Sequence, residues 1–167
     1  MNAHSRSAAT SLSTALVILV LSVTSPLGAQ EPAGKDATGK AWLTGGLGRG
    51  SEGIAAVAGA DLSWGHHIVS FRTATTQPFL GGGRRYWDAG VLYGRAVRWP
   101  EGLAALSTGM GVMGGEQTPK RPSLPVAGRV SWHPTSAFGI GGYAFLNLNR
   151  EDVFGGLALT LELGMLK

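Results

Sequence analysis

A chain of 167 residues with no composition break holds one domain of ordinary size and excludes two large ones. Only 14% of residues are charged, 27 are glycine, and no segment after residue 29 stays apolar long enough to cross a bilayer as a helix, which leaves a β-rich chain. The absence of cysteine excludes disulfides, a lipidated cysteine anchor and thiol catalysis, while the net charge of +4 is scattered and forms no basic patch for nucleic acid.

The chain opens with an export signal over residues 1–29. His4 and Arg6 precede an apolar run over 16–21, and Pro26, Leu27, Gly28 and Ala29 make a cleavage site. The run is too short, and too polar at its flanks, for a retained membrane anchor. Residues 30–40 are rich in proline, glycine and charge and read as a flexible leader, so the folded domain is expected over 41–167. An exported basic chain meets anionic lipid head groups sooner than nucleic acid.

Eight segments of strand character follow, at 41–49, 54–64, 66–75, 86–97, 103–113, 125–133, 138–149 and 153–166, each bounded by Gly, Pro, Asn, Asp or Ser. Most have the length a tilted strand needs to cross a hydrocarbon layer, roughly twice that of a strand in a soluble protein. Alternation is clearest in the last, where Leu157, Leu159, Leu161, Leu163 and Met165 share one face and Ala158, Thr160 and Glu162 the other. Likewise Leu62 and Trp64 oppose Asp61 and Ser63, Val69 and Phe71 oppose Ser70 and Arg72, Val91 and Tyr93 oppose Asp88 and Gly90, and Val130 and Trp132 oppose Arg129 and Ser131. The first and fifth segments are too rich in glycine to show a phase, and the seventh is apolar on both faces.

Connection lengths alternate too. Short turns are expected at Gly65, 98–102 and 134–137, and outer loops at 50–53, 76–85, 114–124 and 150–152, the middle two being the longest gaps. Amphipathic rings gather where bilayer meets water. Trp42, Trp64, Trp99 and Trp132 fall at the turn-side strand ends, and Tyr86 and Trp87 at the loop-side end of the fourth segment.

With its export signal, eight alternating segments, short and long connections and aromatic ends, the mature chain resembles the small eight-stranded outer-membrane β-barrels. The resemblance is architectural. It implies an all-β, eight-stranded antiparallel up-and-down transmembrane barrel in the outer membrane of a Gram-negative-type bacterium. It also implies outer-membrane lipids including lipopolysaccharide and the barrel-assembly machinery as partners. Such chains end on an aromatic residue that this machinery reads; here the end is Gly164, Met165, Leu166, Lys167.

If the apolar faces meet lipid, the lumen holds Asp61, Arg72, Asp88, Arg129 and Glu162. A lumen of eight strands is filled by side chains, so these mixed charges are expected to pair as a structural network in preference to a gated polar path. Arg84, Arg85, Lys120 and Arg121 sit in the outer loops, where they are either solvated or hold lipopolysaccharide phosphates. Ser131 and His133 share a face and invite comparison with outer-membrane lipid deacylases, but positions two apart on a strand do not form a triad by themselves. His66 and His67 point to opposite sides and cannot share a metal. The glycines 109, 111 and 114 match a dinucleotide fingerprint with no helix after it.

No cofactor, metal or enzymatic activity is therefore expected. The leading expectation is a structural or surface-interaction barrel. The alternatives are a soluble lipocalin-like carrier, whose apolar faces would turn inward, and a lipid-modifying enzyme using Ser131 and His133.

Overall fold

The computed structural model describes residues 39–79, 83–116 and 119–167. The export signal over 1–29 and nearly all of the leader over 30–40 lie outside the described residues. Eight strands run in chain order: β1 (Lys40–Gly50), β2 (Gly53–Trp64), β3 (His67–Gln77), β4 (Tyr86–Trp99), β5 (Gly102–Gly115), β6 (Arg121–Trp132), β7 (Phe138–Leu148) and β8 (Val153–Gly164). Each pairs antiparallel with the next, and β8 closes on β1.

The register can be followed from Lys40 through Ser63, Ile68, Gly94, Ser107, Ala127, Phe145 and Gly156. It returns to β1 at Gly50, the opposite end of the strand from which it left. That offset is the stagger of a tilted barrel, and closure leaves no open sheet edge.

One end, the turn end, carries the connections at Gly65 and His66, at Pro100 and Glu101, and over 133–137. Gly65 has φ of +52°, a left-handed conformation that a tight hairpin requires and that glycine adopts without a Cβ clash. The loop end carries Ser51 and Glu52 and the segments 78–85, 116–120 and 149–152.

Strand ends agree with the expected segments to within a residue or two, apart from the start of β6. The outer loop expected over 114–124 is largely strand, because Gly111, Val112 and Met113 continue the ladder with Ser123, Pro122 and Arg121. Pro125 interrupts that ladder, since it has no N–H, and Thr108 Oγ1 donates to its carbonyl at 3.1 Å.

Alternation sets the two surfaces. Leu157, Leu159, Leu161, Leu163 and Met165 all face outward, Leu159 with 77% of its surface exposed, while Glu162 between them is fully buried. The structure also settles the phases that the glycine-rich segments conceal: Leu43, Leu47, Met110 and Val112 face out, and Thr44, Ser107 and Met113 face in. An exterior of leucine, valine and aromatic rings around a charged interior is the reverse of a water-soluble barrel.

Candidate functional site

Inside the barrel the polar side chains lie between two apolar clusters. Trp42, Ile68, Ala96, Leu103, Ala105 and Leu166 pack at the turn end. Tyr86, Leu92, Met113, Phe145 and Phe154 belong to the cluster reaching the loop end. Leu166 enters the first cluster because the chain bends at Gly164, whose φ is +150°, and its N–H then donates to the Ser136 carbonyl at 2.8 Å.

Above that cluster Arg129 is the hub. Its two Nη atoms meet Asp61 at 2.8 and 2.6 Å, in the fork geometry that suits guanidinium and carboxylate. Thr44 Oγ1 and Ser70 Oγ donate to the same carboxylate at 2.8 and 2.5 Å. Glu162 lies 3.7 Å from Arg129, and it accepts from Ser131 at 2.6 Å and bonds His133 Nε2 at 2.9 Å. The rings of Trp42 and Tyr143 flank the guanidinium with centroids 5.8 and 5.2 Å away.

Toward the loop end Arg72 pairs with Asp88, which also accepts from the Asn147 amide and, at 2.8 Å, from the Ala74 N–H. All five charges named from alternation are thus buried, but they form two separate groups.

Several members of the interior escaped the sequence reading. Thr44 and Asn147 lie on strands whose alternation was unreadable, and Arg98 lies in an expected turn. Arg98 bonds Ser63 in the lumen, with its guanidinium over the Trp42 ring. Ser131 and His133 do share a face, yet both bond the Glu162 carboxylate. Ser131 donates to the acid and not to an imidazole base, and both residues are sealed from lipid at 1% and 2% exposure. That geometry solvates a buried carboxylate; it does not activate a nucleophile.

Two aromatic assignments need correction. Trp42 is buried in the lumen, because inward positions on β1 are those of Trp42 and Thr44, and its ring covers Arg129. Tyr86 is also inward, in phase with Asp88, and stacks on Phe154 with centroids 5.6 Å apart. Trp64, Trp99 and Trp132 are exposed on the outside at the turn end, and Trp87 is partly exposed at the loop end.

The loop-end cations mostly have acidic neighbours. Arg84 approaches Asp152 at 3.9 Å, Arg85 approaches Glu116 at 3.8 Å, and Arg121 pairs with Glu151. The hydrogen bond to Tyr86 and the charge of Asp152 raise the Arg84 pKa above its ordinary value. Lys120 instead lies over the Trp87 ring at 5.9 Å. The adjacent histidines separate: His66 is exposed in the turn, and His67 opens β3 half-buried against Trp64 and Tyr93. No group of three metal-ligating side chains occurs among the described residues.

Known structures share this architecture. A de novo designed transmembrane β-barrel is 9% identical with a TM-score of 0.51, covering 81% of this chain and 98% of its own. Neisserial surface protein A is 12% identical with a TM-score of 0.50, covering 75% and 94%. The attachment invasion locus protein Ail of Yersinia pestis is 16% identical with a TM-score of 0.42, covering 75% and 96%. Neither a family model nor a curated protein sequence matches the chain. At such identities the likeness is one of fold, and this chain has the fold of the small eight-stranded transmembrane β-barrels.

Proposed function

We propose that the protein is a non-enzymatic outer-membrane β-barrel of a Gram-negative-type cell envelope, with a structural or surface-interaction role. The observation that carries this reading is the inverted distribution of polarity: a leucine-rich exterior surrounds Asp61, Asp88 and Glu162 paired against Arg72 and Arg129. The outward leucine row lines no pocket, which disfavours a soluble carrier. Apolar clusters at both ends disfavour a conducting path and leave the loop end as the surface for contacts.

In this reading the turn end faces the periplasm, the barrel-assembly machinery inserts the chain, and lipopolysaccharide is the lipid beside the loops. Phosphates reaching Arg84, Arg85 or Arg121 would compete with Asp152, Glu116 and Glu151. Lys120 beside Trp87, with no carboxylate partner among the described residues, is the better head-group contact.

The test is membrane fractionation of the expressed protein, followed by electrophoresis of heated and unheated samples in detergent. Recovery with outer membranes and a mobility that changes on heating are expected. Recovery as a soluble periplasmic protein would overturn the reading.

A further inference from the structure

On the outside of the barrel at its turn end, four side chains form a cluster that the interior network does not use. Trp64 ends β2, His67 begins β3 directly opposite it, Arg95 of β4 lies directly opposite His67, and Tyr93 is the next outward residue along β4. Outward positions of the eight strands carry only two formal charges, Arg95 here and Arg49 at the loop end. A cation on a lipid-facing surface is costly at mid-bilayer and little penalised near the interface. The level of the tryptophan ring is where it can be held.

The hydrogen bonds within the cluster have a direction. Arg95 has only donors, so its Nη1 contact with His67 Nε2 at 3.3 Å makes Nε2 the acceptor. The ring proton then sits on Nδ1, which donates to the Tyr93 hydroxyl oxygen at 2.5 Å. That leaves the Tyr93 O–H free to donate outward. The other guanidinium N–H groups of Arg95 meet no carboxylate among the described residues. Trp64 stacks on His67 with centroids 6.0 Å apart and an interplanar angle of 18°, and Tyr93 tilts against the same imidazole ring at 5.8 Å, so the donors are held in place before any ligand arrives.

A site with one fixed positive charge, donors but no spare acceptor, and exposed aromatic rings at the membrane–water boundary suits an anionic acceptor joined to an apolar body. We infer that Trp64, His67, Tyr93 and Arg95 bind the phosphodiester of a glycerophospholipid in the turn-side leaflet. Arg95 and the Tyr93 hydroxyl hold the phosphate oxygens, and the acyl chains descend along Val69, Phe71 and Val91. This inference rests on the membrane reading above.

The experiment uses the full folded barrel in detergent micelles and counts lipids retained in native mass spectrometry during titration with dioleoyl phosphatidylglycerol. Heat-modifiable mobility of every sample tests the membrane-barrel reading separately. Arg95→Gln is expected to weaken retention about tenfold, the scale of one charge-assisted contact. Tyr93→Phe, which removes only a hydroxyl, should weaken it several-fold, and Arg49→Gln should leave it unchanged. Dioleoylglycerol, which has no phosphate, should not be retained. Equal retention by wild type and both site variants would overturn the inference, as would equal retention of dioleoylglycerol or displacement of the lipid by equimolar inorganic phosphate.

Discussion

Two arginines lie inside the same barrel, and their surroundings differ. Arg129 forks onto Asp61, reaches Thr44 and Glu162, and is flanked by Trp42 and Tyr143. Arg72 also has an aspartate, Asp88, but its Nε and Nη1 find no hydrogen-bond partner, and neither does Asn147 Oδ1 beside it. Because a buried polar group without a partner costs about 1–3 kcal/mol, an ion pair contributes according to how completely the rest of each group is bonded. The turn-end network is thus the more completely bonded of the two groups, although Trp42 Nε1 beside it also lacks a hydrogen-bond partner.

The sharpest way to break this distinction is Asp61→Ala, which strips Arg129 of its fork and leaves Thr44 and Ser70 without their acceptor. It is expected to destabilise the barrel by about 3–5 kcal/mol, measured as the urea concentration at which heat-modifiable mobility is lost. A smaller contrast comes from neutralising each pair. Arg72→Met with Asp88→Asn keeps an acceptor for Ala74 and should cost no more than about 1 kcal/mol, whereas Arg129→Met with Asp61→Asn takes the guanidinium charge away from the buried Glu162 and should cost about 2–4 kcal/mol. Equal losses for the two double variants would erase the difference.

An effect smaller than that of the Arg129 double variant is expected at Gly139, opposite Glu162 in the ladder. A Cβ there would stand 2.7 Å from His133 Cδ2 and 3.3 Å from Glu162 Oε2. Gly139→Ala should therefore cost about 1–2 kcal/mol, and less when His133 is alanine as well, because the clash is with that ring. Additive losses in the same urea titration would place the strain elsewhere.

The strands were legible wherever large apolar residues alternated with polar ones, as in β8, where five large residues share a face and Glu162 marks the other. Asp61, Arg72, Asp88, Arg129 and Glu162 could be placed in the lumen for that reason. Trp42 and Tyr86 were misassigned, because position near a strand end suggested the membrane boundary whereas phase decides the direction of a side chain. The glycines of β1 conceal it at Trp42, while at Tyr86 the alternation with Asp88 already pointed inward. Arg98 sat in an expected turn, yet it lies on β4 and its side chain bonds Ser63 in the lumen.

Period-two alternation, turn residues and the scarcity of charge, all local properties, determined from the sequence alone that this chain is all-β and which faces of most strands are apolar. Which charges meet was decided only by the closed barrel. Asp61, Arg129 and Glu162 come from β2, β6 and β8, and the stagger that brings β8 back onto β1 sets their relative heights. The exterior cluster has the same origin. Trp64 and His67 are near in sequence, but Arg95 joins them only because the β3–β4 register sets it opposite His67, and no local pattern carries that register.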